Sequence, residues 1–107
     1  MITIKTKPIS VNALYCGRRF LTKEGKATKE AMAWEVKQQW KQKIITKEVA
    51  IKIKFFVPNK RSDLDNLLKA PQDILTGIIY KDDSQIVEIH CWKVIDKTNP
   101  RIEISIK

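Results

Sequence analysis

Cysteine, histidine and glycine are all scarce in this chain of 107 residues, at two, one and three. Cys16 and Cys91 lie far apart and His90 is the lone histidine, so no zinc-ligand spacing is present. Long apolar runs are missing too. None approaches the ~20 residues of a membrane-spanning helix. The first residues, Met1 to Lys5, lack the apolar core of a signal peptide and alternate like a strand. Cytoplasmic location is therefore the expectation, with no membrane partner. In that compartment the two thiols are expected to be reduced rather than joined in a disulfide. Repeats, low-complexity tracts and a linker-like segment are also lacking, so residues 1–107 are read as one domain with one modest core.

Acidic residues are outnumbered, twelve against twenty-one lysines and arginines, for a net charge of +9. The sequence pI is about 9.7. Such a surface suits a polyanionic partner. An apolar content of 43% argues against disorder. The few acids are not spread evenly, since five of the twelve fall between Asp63 and Asp83. Carboxylates repel one another, so a cluster needs a cation or basic neighbours.

Residues 2 to 6 alternate apolar and polar, and Pro8 ends that strand. Pro8 to Tyr15 reads as a loop, and Thr22-Lys23-Glu24-Gly25 as a turn. A helix is expected from about Thr28 to about Lys43, with Met32, Val36, Trp40 and Ile44 as its apolar stripe. Trp34 and Trp40 fit core or dimer contacts better than base stacking. Val49 to Val57 alternates over nine residues and is the clearest strand. A second helix follows Asp65, its expected N-cap, with Leu67, Leu68, Ile74, Leu75 and Ile78 for its buried face. Ile86 to Ile95 is a third strand. Asp96 to Pro100 turns the chain, and Ile102, Ile104 and Ile106 mark a last strand expected to form a hairpin with the third. The fold class is α/β (α+β): a four-stranded mixed sheet with two helices, ordered strand, helix, strand, helix, strand, strand.

The acidic stretch admits two readings. Asp63 and Asp65 share one side of an extended backbone, and Lys69 follows Asp65 by one helical turn. If the chain folds back, Asp82 and Asp83 can meet them, giving hard oxygen ligands for Mg²⁺ or Mn²⁺ with an ammonium group alongside. The plainer reading is a helix start decorated with acids, as the helix dipole favours, plus an Asp65–Lys69 ion pair. His90 lies outside this grouping, and a lone strand histidine is more often structural or solvent-facing than a general base.

Two motifs separate these readings. Lys60-Arg61, then Asp63-Leu64-Asp65-Asn66-Leu67-Leu68-Lys69, then Asp82-Asp83-Ser84-Gln85-Ile86 resemble the RusA-type Holliday junction resolvases. Pro8-x-Ser10-x-Asn12 with Tyr15 extends the likeness towards the N-terminus. The resemblance implies a metal-dependent, structure-selective endodeoxyribonuclease that resolves four-way junctions in DNA recombination and repair. It implies metal-binding carboxylates at Asp63, Asp65 and Asp83, a catalytic lysine at Lys69, and Asp82 and Asn66 as further ligands or supports. Lys60, Arg61, Arg18, Arg19, Asn12 and Tyr15 are the expected contacts to DNA phosphate and sugar. A four-way junction has two-fold symmetry and needs two opposed nicks, so one site per chain implies a homodimer. The alternatives are a non-catalytic nucleic-acid-binding module and a metal nuclease acting on other branched DNA. Pro71 departs from a smooth helical pattern and is expected to kink the second helix.

Overall fold

The strand Val49–Val57 carries the fold, with its side chains alternating between a fully buried face and a more exposed one. We describe a computed structural model over residues 1–5, 15–16, 20–21, 23–60 and 63–106, leaving aside the side chains of 15, 16, 20, 21, 24, 65 and 66. Its elements are β1 (Ile2–Ile4), β2 (Tyr15–Cys16), β3 (Phe20–Leu21), α1 (Lys23–Gln39), β4 (Val49–Val57), α2 (Leu64–Leu75), a 3₁₀ turn (Asp83–Gln85), β5 (Ile86–Ile95) and β6 (Arg101–Ile106). Four strands form a mixed sheet in the order β1-β6-β4-β5, and β2 and β3 pair as a small separate ribbon. The expected mixed sheet with two helices is what forms.

Register explains the core. Ile2 lies opposite Ile104, which lies opposite Ile53, and Ile4 lies opposite Ile102, which lies opposite Phe55. These six side chains share one face, are almost wholly buried, and join Met32 and Val36 of α1 and Leu67, Ala70 and Ile74 of α2 in one cluster. Each such side chain contributes about 1.5–3 kcal/mol by leaving water. The other face of the sheet carries Lys52, Lys54 and Trp92, all exposed.

The last connection differs from expectation. β6 does not form a hairpin with β5; it crosses to the far side of β4, antiparallel to both β4 and β1. β5 is left at the edge, parallel to β4 with Val57 opposite Ile95. The buried Ile102 and Ile104 are best served by a central position, whereas most of β5 stays exposed. Arg101 anchors the crossing by donating to Asp96 Oδ2 at 3.0 Å and Glu103 Oε2 at 2.9 Å. Asp96 is held below the usual carboxylate range, first by Arg101 and then by Thr98 and the Asn99 amide.

Both helices also shift from their expected bounds. α1 begins at Lys23, so Lys23, Glu24 and Gly25 are helical rather than a turn, and Gly25 is buried where no side chain needs room. It ends at Gln39, leaving Ile44 outside the helix and exposed. Of the two tryptophans, Trp34 faces solvent, contrary to the core reading, and Trp40 packs against the core. α2 starts one residue before Asp65, making the extended Asp63 its N-cap. Pro71 is buried inside α2, which continues four residues past it to Leu75. The hydrogen bond it forgoes is offset by that burial.

Candidate active site

The functional residues sit at the two ends of α2. β4 ends at Val57, and a short turn through Pro58, Asn59 and the exposed Lys60 leads to Asp63 at the N-terminus of the helix. Asp63 is exposed and makes no capping hydrogen bond. Its carboxylate is favoured there by the helix dipole. α2 then runs back along the sheet for twelve residues, about 17 Å at 1.5 Å per residue. Beyond its C-terminus come Asp82 and Asp83, exposed, immediately before β5.

β4 and β5 are parallel, with Val49 opposite Ile86. The Asp82–Asp83 pair therefore lies near the start of β4, while Asp63 follows its end. Among the described residues no three carboxylate, histidine or cysteine side chains come together as a metal-holding group, although Asp63, Asp82 and Asp83 are all described. The side chains of Asp65 and Asn66 lie outside the described residues. So do Asn12, Arg18, Arg19 and Arg61, and of Tyr15 only the backbone, paired with Leu21, is described.

Lys69 is exposed on α2, and its ammonium lies 3.5 Å from Oδ1 of Asp73, one turn further on. The other oxygen of Asp73 meets Lys29 Nζ of α1 at 3.1 Å. One carboxylate thus bridges two lysines across the helix pair. The Lys29 contact is the better sheltered, worth up to about 1 kcal/mol, and the exposed i,i+4 contact is worth a few tenths. Neither Asp73 nor Lys29 was given a role by sequence reasoning. The four-residue spacing from Lys69 was a usable signal for Asp73; nothing in the sequence pointed to Lys29, which lies 44 residues away from it.

Tyr80 ties the far end of α2 to the second acidic pair. It is completely buried, and its hydroxyl donates to the Gln72 carbonyl at 3.0 Å. Burial pushes its phenol up to about 12; the Asp83 and Asp73 carboxylates add to that, and the hydrogen bond with Thr76 opposes it. Both carboxylates act on one phenol, so Asp83 lies towards the Asp73 end of the helix. Asp82 is held below the usual carboxylate range, first by a hydrogen bond from Ser84 and then by its neighbour Asp83. Ser84 Oγ donates to Asp82 Oδ2 at 2.8 Å.

Gln85 fixes this turn in place. Its Oε1 accepts from the amides of Lys81 and Asp82 at 2.8 and 3.0 Å, and its Nε2 donates to the carbonyls of Ile45 and Lys47, both at 2.9 Å. All four bonds hold the segment carrying Asp82 and Asp83 against the chain that leads into β4. His90 is elsewhere, on the exposed face of β5, 2.5 Å from Glu88 and with its ring 6.4 Å from that of Trp92. It is not grouped with the acids.

An exposed acidic pair on a rigid turn, an N-cap aspartate and a lysine on the helix between them make a phosphate-processing arrangement, and comparison with known proteins names its family. The family model for endodeoxyribonuclease RusA matches residues 3–107. The chain belongs to the RusA family. The crossover junction endodeoxyribonuclease RusA of Escherichia coli (strain K12) is 33% identical over 92 residues, covering 84% of this chain and 77% of that protein. That of Aquifex aeolicus is 36% identical over 77 residues, 69% of this chain and 60% of the relative. That of Lactococcus phage r1t is 55% identical over 47 residues, 43% of this chain and 35% of the relative. The chain thus spans less than two thirds of the Aquifex and phage proteins. The RusA match takes in both acidic motifs and the β4-α2-β5 unit that carries them.

Proposed function

We propose that this protein is a metal-dependent endodeoxyribonuclease that resolves four-way DNA junctions by paired, symmetric nicks, acting as a homodimer. Membership of the RusA family across residues 3–107 is the observation that carries the reading. The chemistry of the donor set agrees with it. Exposed aspartates offer hard oxygen ligands without histidine or cysteine, the set that suits Mg²⁺ or Mn²⁺. Asp63, Asp65 and Asp83 would hold the ion, with Asp82 and Asn66 beside them. When bound, such an ion supplies a more acidic water and neutralises charge on phosphate oxygens.

The chain's own residues divide the remaining work. Lys69 keeps a positive charge next to the reacting phosphate, stabilising the extra negative charge that develops there. Asp73 and Lys29 limit where that ammonium can go. Gln85 and Ser84 keep the Asp82–Asp83 turn rigid, so the carboxylates need little reorganisation to meet a cation. The +9 chain, with Lys60 and the flanking arginines, holds the DNA backbone by displacing counterions.

The deciding experiment compares a synthetic four-way junction with a linear duplex of the same sequence, with Mg²⁺ and with a chelator. Paired symmetric nicks in the junction alone, and only with metal, are expected. Tight junction binding with no cleavage in any divalent metal would replace this reading with that of a binding module. Cleavage of both substrates would replace it with a metal nuclease of another target. Asp65→Asn is expected to abolish cleavage and retain junction binding.

A further inference from the structure

The two edges of the sheet are treated differently. At the β1 edge, α1 supplies partners: Thr3 N–H donates to Gln39 Oε1 at 2.8 Å, Gln39 Nε2 donates to the Thr3 carbonyl at 2.7 Å, and Lys5 N–H donates to Glu35 Oε1 at 2.7 Å. The opposite edge is β5, ten residues long, with β4 as its one neighbour strand among the described residues. Five of the eight large apolar side chains exposed on the described surface belong to it: Val87, Ile89, Trp92, Val94 and Ile95. Edge strands are ordinarily kept short, broken by proline or crowded with lysine, because they template pairing with another chain. β5 has no proline and one lysine, Lys93. Its one register slip comes at its start, between Ile86 and Glu88, and it runs regularly from there to Ile95.

We infer that β5 pairs antiparallel with β5 of a second copy, centred on Cys91, and that this dimer brings Asp82 and Asp83 of each copy to Asp63 of the other. The register follows from the regular stretch. Centring on Cys91 sets Glu88 through Val94 against itself and leaves the irregular start unpaired. Side chains directly opposite then share a face, as an antiparallel ladder demands. His90 stands opposite Trp92 of the second copy, twice by symmetry, an aromatic pairing that stabilises adjacent strands. A second copy is the occupant because the strand complements itself in this way, and because of where the acids lie. β5 begins just after Asp83 and ends at Ile95, opposite Val57, six residues before Asp63. Reversing one β5 against another places the acidic turn of each copy at the end of the sheet where Asp63 of the other begins α2. Within one chain α2 separates these groups; across the two-fold they meet without disturbing it.

This inference rests on the proposed roles of Asp63 and Asp83, and its test separates the two. In a Cys16→Ser background, oxidation with copper phenanthroline is expected to join Cys91 to Cys91 of the second copy. Cα atoms directly opposite lie about 4.5–5.5 Å apart in such a ladder, within disulfide reach. A protein that yields no covalent dimer overturns the pairing. The second arm mixes subunits. Heterodimers of Asp63→Asn with Asp83→Asn, purified on two tags, contain one intact shared site and are expected to nick junctions at about half the wild-type rate, while both parent homodimers are inactive. Heterodimers of wild type with the Asp63→Asn/Asp83→Asn double variant are expected to be inactive, because each shared site then carries one lesion. The reverse pattern, with the first mixture dead and the second half-active, overturns the shared site while the cross-link still reports on the edge. Parent homodimers that cleave normally refute the ligand roles instead, leaving the strand pairing to stand or fall by the cross-link.

Discussion

Replacing Gln85 with alanine is the sharpest probe of how the acidic turn is held. The side chain makes four hydrogen bonds, two as acceptor and two as donor, and the donor bond to Ile45 is partly buried. A net value of about 0.5–1.5 kcal/mol per bond, taken at the low end for the three exposed ones, gives a loss of roughly 2–3 kcal/mol. For a domain of this size that lowers Tm by roughly 10–15 °C. Urea melts and thermal scans measure it directly. The cost also falls on function, because Asp82 and Asp83 ride on the freed segment, so junction cleavage should drop well below wild type at a temperature where the variant is fully folded, with junction binding retained. Gln85→Glu sharpens the test. The carboxylate keeps the acceptor that serves Lys81 and Asp82, but it loses both donors and turns negative charge onto the Ile45 and Lys47 carbonyls. It should therefore be no more stable than the alanine variant. A Gln85→Ala protein that melts within about 2 °C of wild type and cleaves normally would refute the account of Gln85 as the clamp.

Other consequences can be checked in the same preparations. Lys69→Ala should slow the chemical step in single-turnover cleavage far more than it weakens junction binding, and an effect on affinity alone would make Lys69 a phosphate contact. Asp73→Asn should slow wild-type cleavage several-fold yet add little in the Lys69→Ala background, since Asp73 acts through that ammonium; additive losses would show an independent role. Junction affinity should fall steeply as salt rises from 50 to 200 mM, by counterion release, and a flat response would contradict a basic DNA-binding surface. Tyr80, ordinarily ionising near 10 but raised to about 12 in the folded chain, stabilises the fold below pH 10 and loses that contribution as pH climbs through 12, a change of roughly 2–3 kcal/mol. Tyr80→Phe should flatten the alkaline limb of the stability profile, and an unchanged limb would count against the buried phenol as its cause.

Local pattern carried much of the fold. The alternation of Val49 to Val57 marks a half-buried strand whichever neighbours it acquires, and the structure buries the odd-numbered positions as that alternation requires. The Asp-x-Asp-Asn-x-x-Lys motif sits at a helix start for the same local reason, because an extended aspartate followed by Leu64, Leu67 and Leu68 gives a cap and an apolar face. What local pattern could not supply was partnership between strands. Ile86 to Ile95 and Arg101 to Ile106 have the length and spacing of a hairpin, yet β6 leaves β5 for the centre of the sheet, a choice made by the depth of burial that Ile102 and Ile104 demand. The Asp73 bridge was half legible, its contact to Lys69 being written in the spacing and its contact to Lys29 depending on how α1 packs against α2.

That parallel arrangement of β4 and β5 also bears on why the family's two motifs stand so far apart in sequence. A crossover between parallel strands returns the chain to the end from which it set out, so residues after the first strand and residues before the second are separated by the length of the connecting helix. The Asp63 motif and the Asp82–Asp83 turn take those two positions. Had β4 and β5 formed an antiparallel hairpin, both motifs would sit at one end of a single chain, and a monomer could assemble the whole set. A parallel unit with a free β5 edge instead makes assembly depend on a second copy. For an enzyme that must cut two strands of a symmetric junction, that dependence has a physical use: a lone subunit, lacking a complete set of acids, has no means of leaving a single stray nick.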